Sequence, residues 1–266
     1  MTDAESRVQV ASRAAHVGSE VAMESFRTDL AVDTKDAKTD VVTQADRDTQ
    51  ARVVEVIEET FPDDAIVGEE ADARKDVPDA GAAWIIDPID GTSNYVRGER
   101  VWGTSVACTI DGECVAAANV FPALDDTYIA GPDGVKRGET TIEVSTESDP
   151  EAGMVSPTLW WDFDRREEFT AAVSAVVERF GDLRRSGCAQ STLSSIACGG
   201  LDAAISNIDP NPWDTVAGVF MIEQAGGTVT DLKGDRWRHD SVGLVASNGH
   251  LHEEALAAAS VIDDRR

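Results

Sequence analysis

The segment Trp84-Ile85-Ile86-Asp87-Pro88-Ile89-Asp90-Gly91-Thr92 sets two carboxylates three residues apart after an apolar run, with a proline, a glycine and a hydroxyl beside them. Ala82 to Ile86 reads as a buried strand. Pro88 cannot continue a central strand and Gly91 permits a tight turn, so a sharp turn is expected there. A second acidic pair, Glu69-Glu70, follows the apolar run Ala65-Ile66-Val67, and Asp214 follows Trp213 near a helix start. Carboxylates and backbone carbonyls are ligands for hard cations such as Mg²⁺ or Mn²⁺ rather than zinc or copper. Five acids from three segments exceed the needs of one Mg²⁺ and fit two or more metals about 3.5–4 Å apart, an arrangement that stabilises in-line displacement at phosphorus. Asp87 leaves the strand first and is the expected bridge. Gly91 and Thr92 can offer backbone N–H groups to a phosphate oxygen if a helix begins there.

Each of these residues also has a plainer reading. Asp87 and Asp90 could lie in a solvated turn, Asp214 could be an N-cap, Asp46 a helix-start acid facing the dipole, and Glu70 a surface acid. One such cluster is weak in a chain with 50 Asp+Glu against 23 Lys+Arg. Three clusters, each at the end of an apolar segment, are harder to dismiss. The net charge of −27 repels phosphodiester backbones and argues against nucleic-acid binding. A hydrophobic content of 42% with six Trp argues against disorder. Only five of the basic residues are Lys, and the acids are spread along the chain, which resembles the surface of proteins from salt-loving organisms. Cys108, Cys114, Cys188 and Cys198 show no zinc spacing and read as reduced thiols of a cytoplasmic protein. The acidic start lacks a signal-peptide core, and no run approaches the ~20 apolar residues of a membrane span.

The elements that must position the acids follow from periodicity. Residues 4–27 have helical spacing, 33–40 read as a loop, and Thr43 with Asp46 forms a capping box before a helix over 44–60. Strands are expected at 65–67, 82–86, 101–110, 114–121 and 127–130, with Asp111-Gly112 as a hairpin turn. The Gly-rich stretch 131–140 precedes a subdomain boundary, giving an N-terminal α+β subdomain over 1–140 that carries most metal ligands and a C-terminal α/β subdomain over 141–266. The second half alternates strands with helices at 164–180, 190–198, 213–224 and 250–259. Asp164 is the expected N-cap of the first of these. Trp160-Trp161 reads as packing rather than as a base-stacking platform.

Gly68-Glu69-Glu70, Trp84 to Thr92 and Trp213-Asp214-Thr215-Val216-Ala217-Gly218 resemble the motifs of the inositol monophosphatase family, within the Mg²⁺-dependent, lithium-sensitive sugar phosphatases. Weaker matches are Asp40 to Asp46, Arg184 to Ala189 and the glycine-rich turn before Asp202. The resemblance implies a mixed α/β fold, a five-layer α/β/α/β/α sandwich, and a homodimer. It implies two or three Mg²⁺ per site, with Mn²⁺ as a substitute. Glu69, Asp87 and the Ile89 carbonyl would hold the first metal, and Asp87, Asp90 and Asp214 the second. Glu69 and Thr92 would position the attacking water, with Asp46 polarising the Thr92 hydroxyl, and no phosphoenzyme would form. A water on the second metal would protonate the leaving hydroxyl. Substrate would contact Asp90, Gly91, Thr92, Gly187, Cys188, Ala189, Ser206 and Asp214.

The departures from the family pattern bear on substrate. Inositol-selective members carry a Glu where this chain has Ser206 or Asn207, so selectivity for inositol is not implied. Asp209-Pro210-Asn211-Pro212 is similar to archaeal members that also accept fructose 1,6-bisphosphate, and a bisphosphate would need a basic anchor among Arg165, Arg166, Arg184 and Arg185. The expected activity is hydrolysis of a small sugar or polyol phosphate by metal-activated water. The alternatives are a 3′-phosphoadenosine 5′-phosphate phosphatase, a non-catalytic regulatory member of the same fold, and an acidic cation buffer.

Overall fold

The computed structural model describes residues 3–28, 32–34, 41–70 and 73–263. Helix α1 (Asp3–Ser25) buries Val10, Ala11, Ala14 and Ala15 along one stripe. The stretch read as a loop instead contributes β1 (Val32–Thr34), which pairs antiparallel with β2 (Val41–Thr43); residues 35–40 of that reading lie outside the described residues. Thr43 then caps α2 (Gln44–Glu58) in the expected capping box with Asp46.

A seven-stranded sheet follows, from β3 (Ala65–Gly68) and β4 (Ala82–Asp90), past the short helix α3 (Thr92–Val96), to β5 (Gly103–Ile110), β6 (Glu113–Phe121) and β7 (Asp126–Gly131). It ends with β8 (Gly134–Arg137) and β9 (Thr140–Thr141), a hairpin within and just beyond the stretch read as irregular. The strands lie in chain order, β3 and β4 parallel and the rest antiparallel. The second half builds β10 (Met154–Pro157), α4 (Arg166–Arg179), β11 (Asp182–Leu183), α5 (Ala189–Ala197), β12 (Ala203–Ser206), α6 (Pro212–Gln224), β13 (Thr228–Thr230), β14 (Leu244–Ser247) and α7 (His252–Asp263). These strands form a five-stranded sheet ordered β11-β10-β12-β14-β13. Asp164 does not cap α4: it sits in a 3₁₀ turn, Phe163–Arg165, and Arg165 occupies the cap position without a side-chain bond.

Strand alternation sorts the core into layers. In β4, Trp84 and Ile86 face α1 and α2, while Ala83 and Ile85 face α5 and α6. In the second sheet Ala204 and Ala246 face α5 and α6, while Ala203, Ile205 and Val245 face α4 and α7. Two sheets thus alternate with three helix layers in the α/β/α/β/α sandwich. No helix among the described residues is long and apolar enough to cross a membrane.

Candidate active site

The Asp-Pro-Ile-Asp spacing poses a geometric difficulty that β4 resolves with a bulge. On a regular strand, residues three apart point to opposite faces. Asp87 pairs with Ser105 and Asp90 with Gly103, so Pro88 and Ile89 together face Thr104 alone. The extra residue turns Asp90 back to the side of Asp87. The strand therefore continues through Pro88 instead of turning there: the missing N–H falls in the bulge, and the Thr104 hydroxyl donates to the Pro88 carbonyl at 2.8 Å. The chain turns at Gly91 (φ 88°), where a Cβ would lie 3.1 Å from both Cys188 Cβ and the Val101 carbonyl oxygen.

Glu69 reaches the same place from the neighbouring strand. Gly68 pairs with Ile86, and the Glu69 N–H donates to the Ile86 carbonyl at 3.3 Å. The Glu69 side chain is thereby within hydrogen-bonding reach of Asp87. Gln50 grips the next residue from α2, its amide bonding both the N–H of Glu70 (2.8 Å) and its carbonyl (2.6 Å). Lys75 donates to the Gly68 and Glu69 carbonyls, each at 2.9 Å, and its ammonium lies 5.4 Å from the Trp213 ring centroid.

Asp90 and Asp214 meet through two helix N-termini. The Asp90 carboxylate accepts from the Cys188 thiol (2.8 Å) and from the N–H groups of Ala189 (3.0 Å) and Gln190 (2.6 Å), which open α5. Asp214 lies in the first turn of α6, where the Asn211 amide donates to it at 3.0 Å. The positive ends of two helix dipoles favour negative charge here. Gly218 lets the helices approach, since a Cβ there would lie 2.4 Å from Leu193 Cβ, and the Gln190 amide ties α5 to the Trp213 carbonyl at 2.8 Å.

Asp87, Asp90 and Asp214 each offer an oxygen, and these oxygens all lie within 4.8 Å of one another. Burial pushes Asp87 well above the usual carboxylate range, and Glu69, Asp90 and Asp214 push it further. Asp214 is pushed up to about 8, by burial first and then by Glu69 and Asp90. Burial also raises Asp90, against the opposing effect of its donors on α5. Asp87 Oδ1 is buried without a hydrogen-bond partner. Crowded carboxylates with an orphaned oxygen and an all-oxygen donor set fit a hard divalent cation, which would neutralise the repulsion and supply the missing partner.

Asp46 closes the capping box and also reaches Thr92. Its Oδ2 accepts from the N–H and hydroxyl of Thr43 (2.7 and 2.6 Å) in the capping box, while its Oδ1 faces the Thr92 hydroxyl at 3.4 Å. Thr92 is also 3.0 Å from the Ile89 carbonyl oxygen, and Ile89 itself is fully buried. Gly91 is the N-cap of α3. Gly187, Cys188 and Ala189 lie with Asp90 and Asp214 on the wall of a cavity of about 220 Å³. Ser206 lies off that wall: it is buried in β12 and its hydroxyl accepts from the Ile208 N–H at 3.2 Å. The tryptophan pair divides. Trp161 is buried with its indole N–H on Asn207, whereas Trp160 is 43% exposed and lines the cavity. Sequence reasoning missed Gln50, Lys75, Gln190 and Asn94, whose amide donates to the Val101 and Ser186 carbonyls at 2.7 and 2.9 Å. Lone amides and lysines carry no spacing signal; their proximity to the motifs was the one available cue.

An acidic cage at two helix N-termini within an α/β/α/β/α sandwich defines a metal-dependent phosphatase, a hydrolase of phosphoric monoesters. The sequence model of the inositol monophosphatase family matches residues 3–263, and the chain belongs to that family. It is 30% identical over 232 residues to the inositol-1-monophosphatase of Bacillus subtilis, covering 86% of this chain and 87% of the relative. It is 32% identical over 236 residues to the fructose-1,6-bisphosphatase/inositol-1-monophosphatase of Thermotoga maritima, covering 87% and 88%. A solved structure of a Thermotoga maritima IMPase superposes with a TM-score of 0.85 at 29% identity, covering 95% of this chain and 96% of that one.

Proposed function

We propose that the chain is a Mg²⁺-dependent phosphomonoesterase for a small sugar or polyol phosphate, with Mn²⁺ as a substitute ion. The observation that carries this reading is the orphaned Asp87 Oδ1 amid Asp90 and Asp214. Glu69, Asp87 and the Ile89 carbonyl would hold one ion, and Asp87, Asp90 and Asp214 a second. Bound there, Mg²⁺ would polarise the phosphoryl oxygens and acidify a water. The residues of the chain do the rest. With the Ile89 carbonyl, the nearer acceptor of the Thr92 hydroxyl at 3.0 Å, engaged by an ion, that hydroxyl would donate to Asp46 Oδ1 at 3.4 Å, which leaves the Thr92 lone pairs free to accept from the attacking water. Glu69 accepts the second hydrogen bond from that water and receives its proton as the water oxygen bonds to phosphorus; the ester P–O bond breaks, and the leaving alkoxide would take its proton from a further water in the site. The N–H groups of Gly91 and Thr92 hold phosphate oxygens, and Gly187, Cys188 and Ala189 bound the sugar.

The acidic surface suits high salt, the four cysteines are all unpaired, as in a reducing cytoplasm, and a homodimer is carried with the proposal from the family resemblance. We likewise carry two subdomains meeting near residue 140, in keeping with one sheet at 65–141 and the other at 154–247.

The test is phosphate release in molar KCl with Mg²⁺, offering inositol 1-phosphate, fructose 1,6-bisphosphate and 3′-phosphoadenosine 5′-phosphate in parallel. Turnover of a sugar or polyol ester that vanishes with EDTA is expected. Release from the nucleotide alone, or from none of the three by folded protein, would overturn the reading.

A further inference from the structure

Strand β6 buries a polar side chain where its pattern calls for an apolar one. Ala117 and Phe121 lie on the face turned toward α5 and α6, and Asn119, between them at the same period, is fully buried on that face. Its Nδ2 donates to Gln190 Oε1 and to Ser194 Oγ, each at 3.0 Å and both on α5, and lies 3.6 Å from Met221 Sδ on α6. Its Oδ1 is buried without a partner among the described residues. A buried acceptor with no donor is destabilising, and an apolar side chain of the same shape would avoid it. What sets asparagine apart at this position is therefore what its amide donates to.

The orientation of that amide is dictated from the metal cage outward. The Trp213 carbonyl can only accept, so Gln190 presents Nε2 to it, at 2.8 Å. Gln190 Oε1 then points at Asn119, which must answer with Nδ2 and leave its own oxygen over. Gln190 is bonded to both sides of the cage. Its backbone N–H donates to Asp90 Oδ2 at 2.6 Å, and its side chain holds the residue directly before Asp214. Asn119 also shares a row of the sheet with the third acid, because Asn119 pairs with Ser105 and Ser105 with Asp87. Residues paired across neighbouring strands point to one face. Asn119 thus ties the sheet row of Asp87 to the residue that spans Asp90 and Asp214.

We propose that Asn119 is a positioning residue for the metal-binding site: by fixing the Gln190 amide it sets the spacing of Asp90 and Asp214, the two acids that share the second ion. The assignment rests on the phosphatase reading above. Asn119 lies off the cavity wall and acts through Gln190. Without its donor, the Gln190 amide can turn and release the Trp213 carbonyl, and the first turns of α5 and α6 lose their cross-link.

The test measures metal binding apart from turnover. Asn119→Leu alone leaves Gln190 Oε1 buried without a donor and can fail to fold, so it is combined with Gln190→Met; leucine and methionine approximate the two shapes and remove both amides. Replacing both partners of a buried hydrogen bond by apolar groups of like shape is close to neutral, so the doubly substituted protein should melt at the wild-type temperature or above it. Its Mg²⁺ affinity, read by calorimetry without substrate, should nevertheless fall about tenfold or more. The Mg²⁺ concentration for half-maximal phosphate release, from the ester that wild type turns over, should rise by the same factor. Gln190→Met alone should lose as much as the pair, since Asn119 then has nothing to act through. Wild-type Mg²⁺ affinity in the double variant would overturn the proposal. So would a loss of affinity matched by a fall in melting temperature, the mark of a purely structural bond, or a further loss on adding Asn119→Leu to Gln190→Met. Mg²⁺ binding that depends on the two amides, in a protein that hydrolyses no ester, would support the positioning role and overturn the hydrolytic reading. A folded wild type that binds no Mg²⁺ would overturn both.

Discussion

Alanine at position 218 would place a Cβ 2.4 Å from Leu193 Cβ, 2.7 Å from Leu193 Cδ1 and 2.9 Å from Gln190 Oε1. The first atom is fixed to the backbone of α5 and cannot rotate away, so relief requires α5 and α6 to separate by about 1 Å to recover ordinary carbon–carbon contact. The alanine gains ~1 kcal/mol of helix propensity, against an overpacking cost of about 1–3 kcal/mol. The net loss, at most ~2 kcal/mol, lowers the melting temperature by no more than about 4 °C in a chain of this size. Function should suffer far more. The N-terminus of α5 holds Asp90 by three donors and that of α6 carries Asp214, so a ~1 Å shift between the helices spreads the metal cage and should cost about 100-fold in turnover. Thermal melting beside phosphate release and Mg²⁺ titration checks this. A Gly218→Ala protein with wild-type turnover would refute the claim that the Gly218 contact sets the spacing of the cage.

Two substitutions within the cage should diverge in their effect on the metal-free protein. Asp90→Asn weakens charged hydrogen bonds to α5 and should lower its stability by about 1–3 kcal/mol, whereas Asp214→Asn removes a repelled acid and should leave the melting temperature unchanged or raised at pH 8; both should lose Mg²⁺ affinity, and equal melting shifts would contradict the reasoning. The unfolded chain releases the Asp214 proton near 3.8 but the folded metal-free chain keeps it to about 8, so stability should fall as pH rises between those values. Denaturation in EDTA across that range should show the decline, Mg²⁺ should flatten it, and a metal-free stability that rises with pH would count against the crowded acids. Thr92→Val should cut turnover by about 100-fold while leaving Mg²⁺ affinity within a few-fold, and Thr92→Ser should retain activity; loss of metal binding in Thr92→Val would show a structural role instead.

The motifs were legible because they sit at the ends of apolar segments, where strand and helix periods leave a recognisable trace. The capping box at Thr43 and Asp46 was read correctly from residues three apart, yet the second task of Asp46, facing Thr92 from 46 positions away, depends on a tertiary approach that no local spacing encodes. Pro88 was misread because its missing N–H excludes a regular ladder but not a bulge, and the bulge itself brings Asp87 and Asp90 to one side. Asp164 has the chemistry of a cap, but the chain enters α4 through a 3₁₀ turn that carries it past the cap position. Ser206 stands where inositol-selective members carry a Glu, and the buried end of β12 leaves it off the cavity wall. Gln50 and Asn94 hold the site through backbone groups of distant segments, and Lys75 through the carbonyls six and seven residues before it, contacts that leave no pattern in the sequence.

On the proposed reading, a divalent cation held by Asp87, Asp90 and Asp214 drives hydrolysis of the phosphomonoester. The most direct test of that reading is the rate of phosphate release as a function of free Mg²⁺, for wild type and for Asp87→Asn, with folding verified in both. No release is expected in EDTA, with a rate that rises with Mg²⁺ occupancy in wild type and a loss of at least about 100-fold in Asp87→Asn at every Mg²⁺ concentration. Release that persists in EDTA, or an Asp87→Asn protein that hydrolyses as fast as wild type, would contradict it.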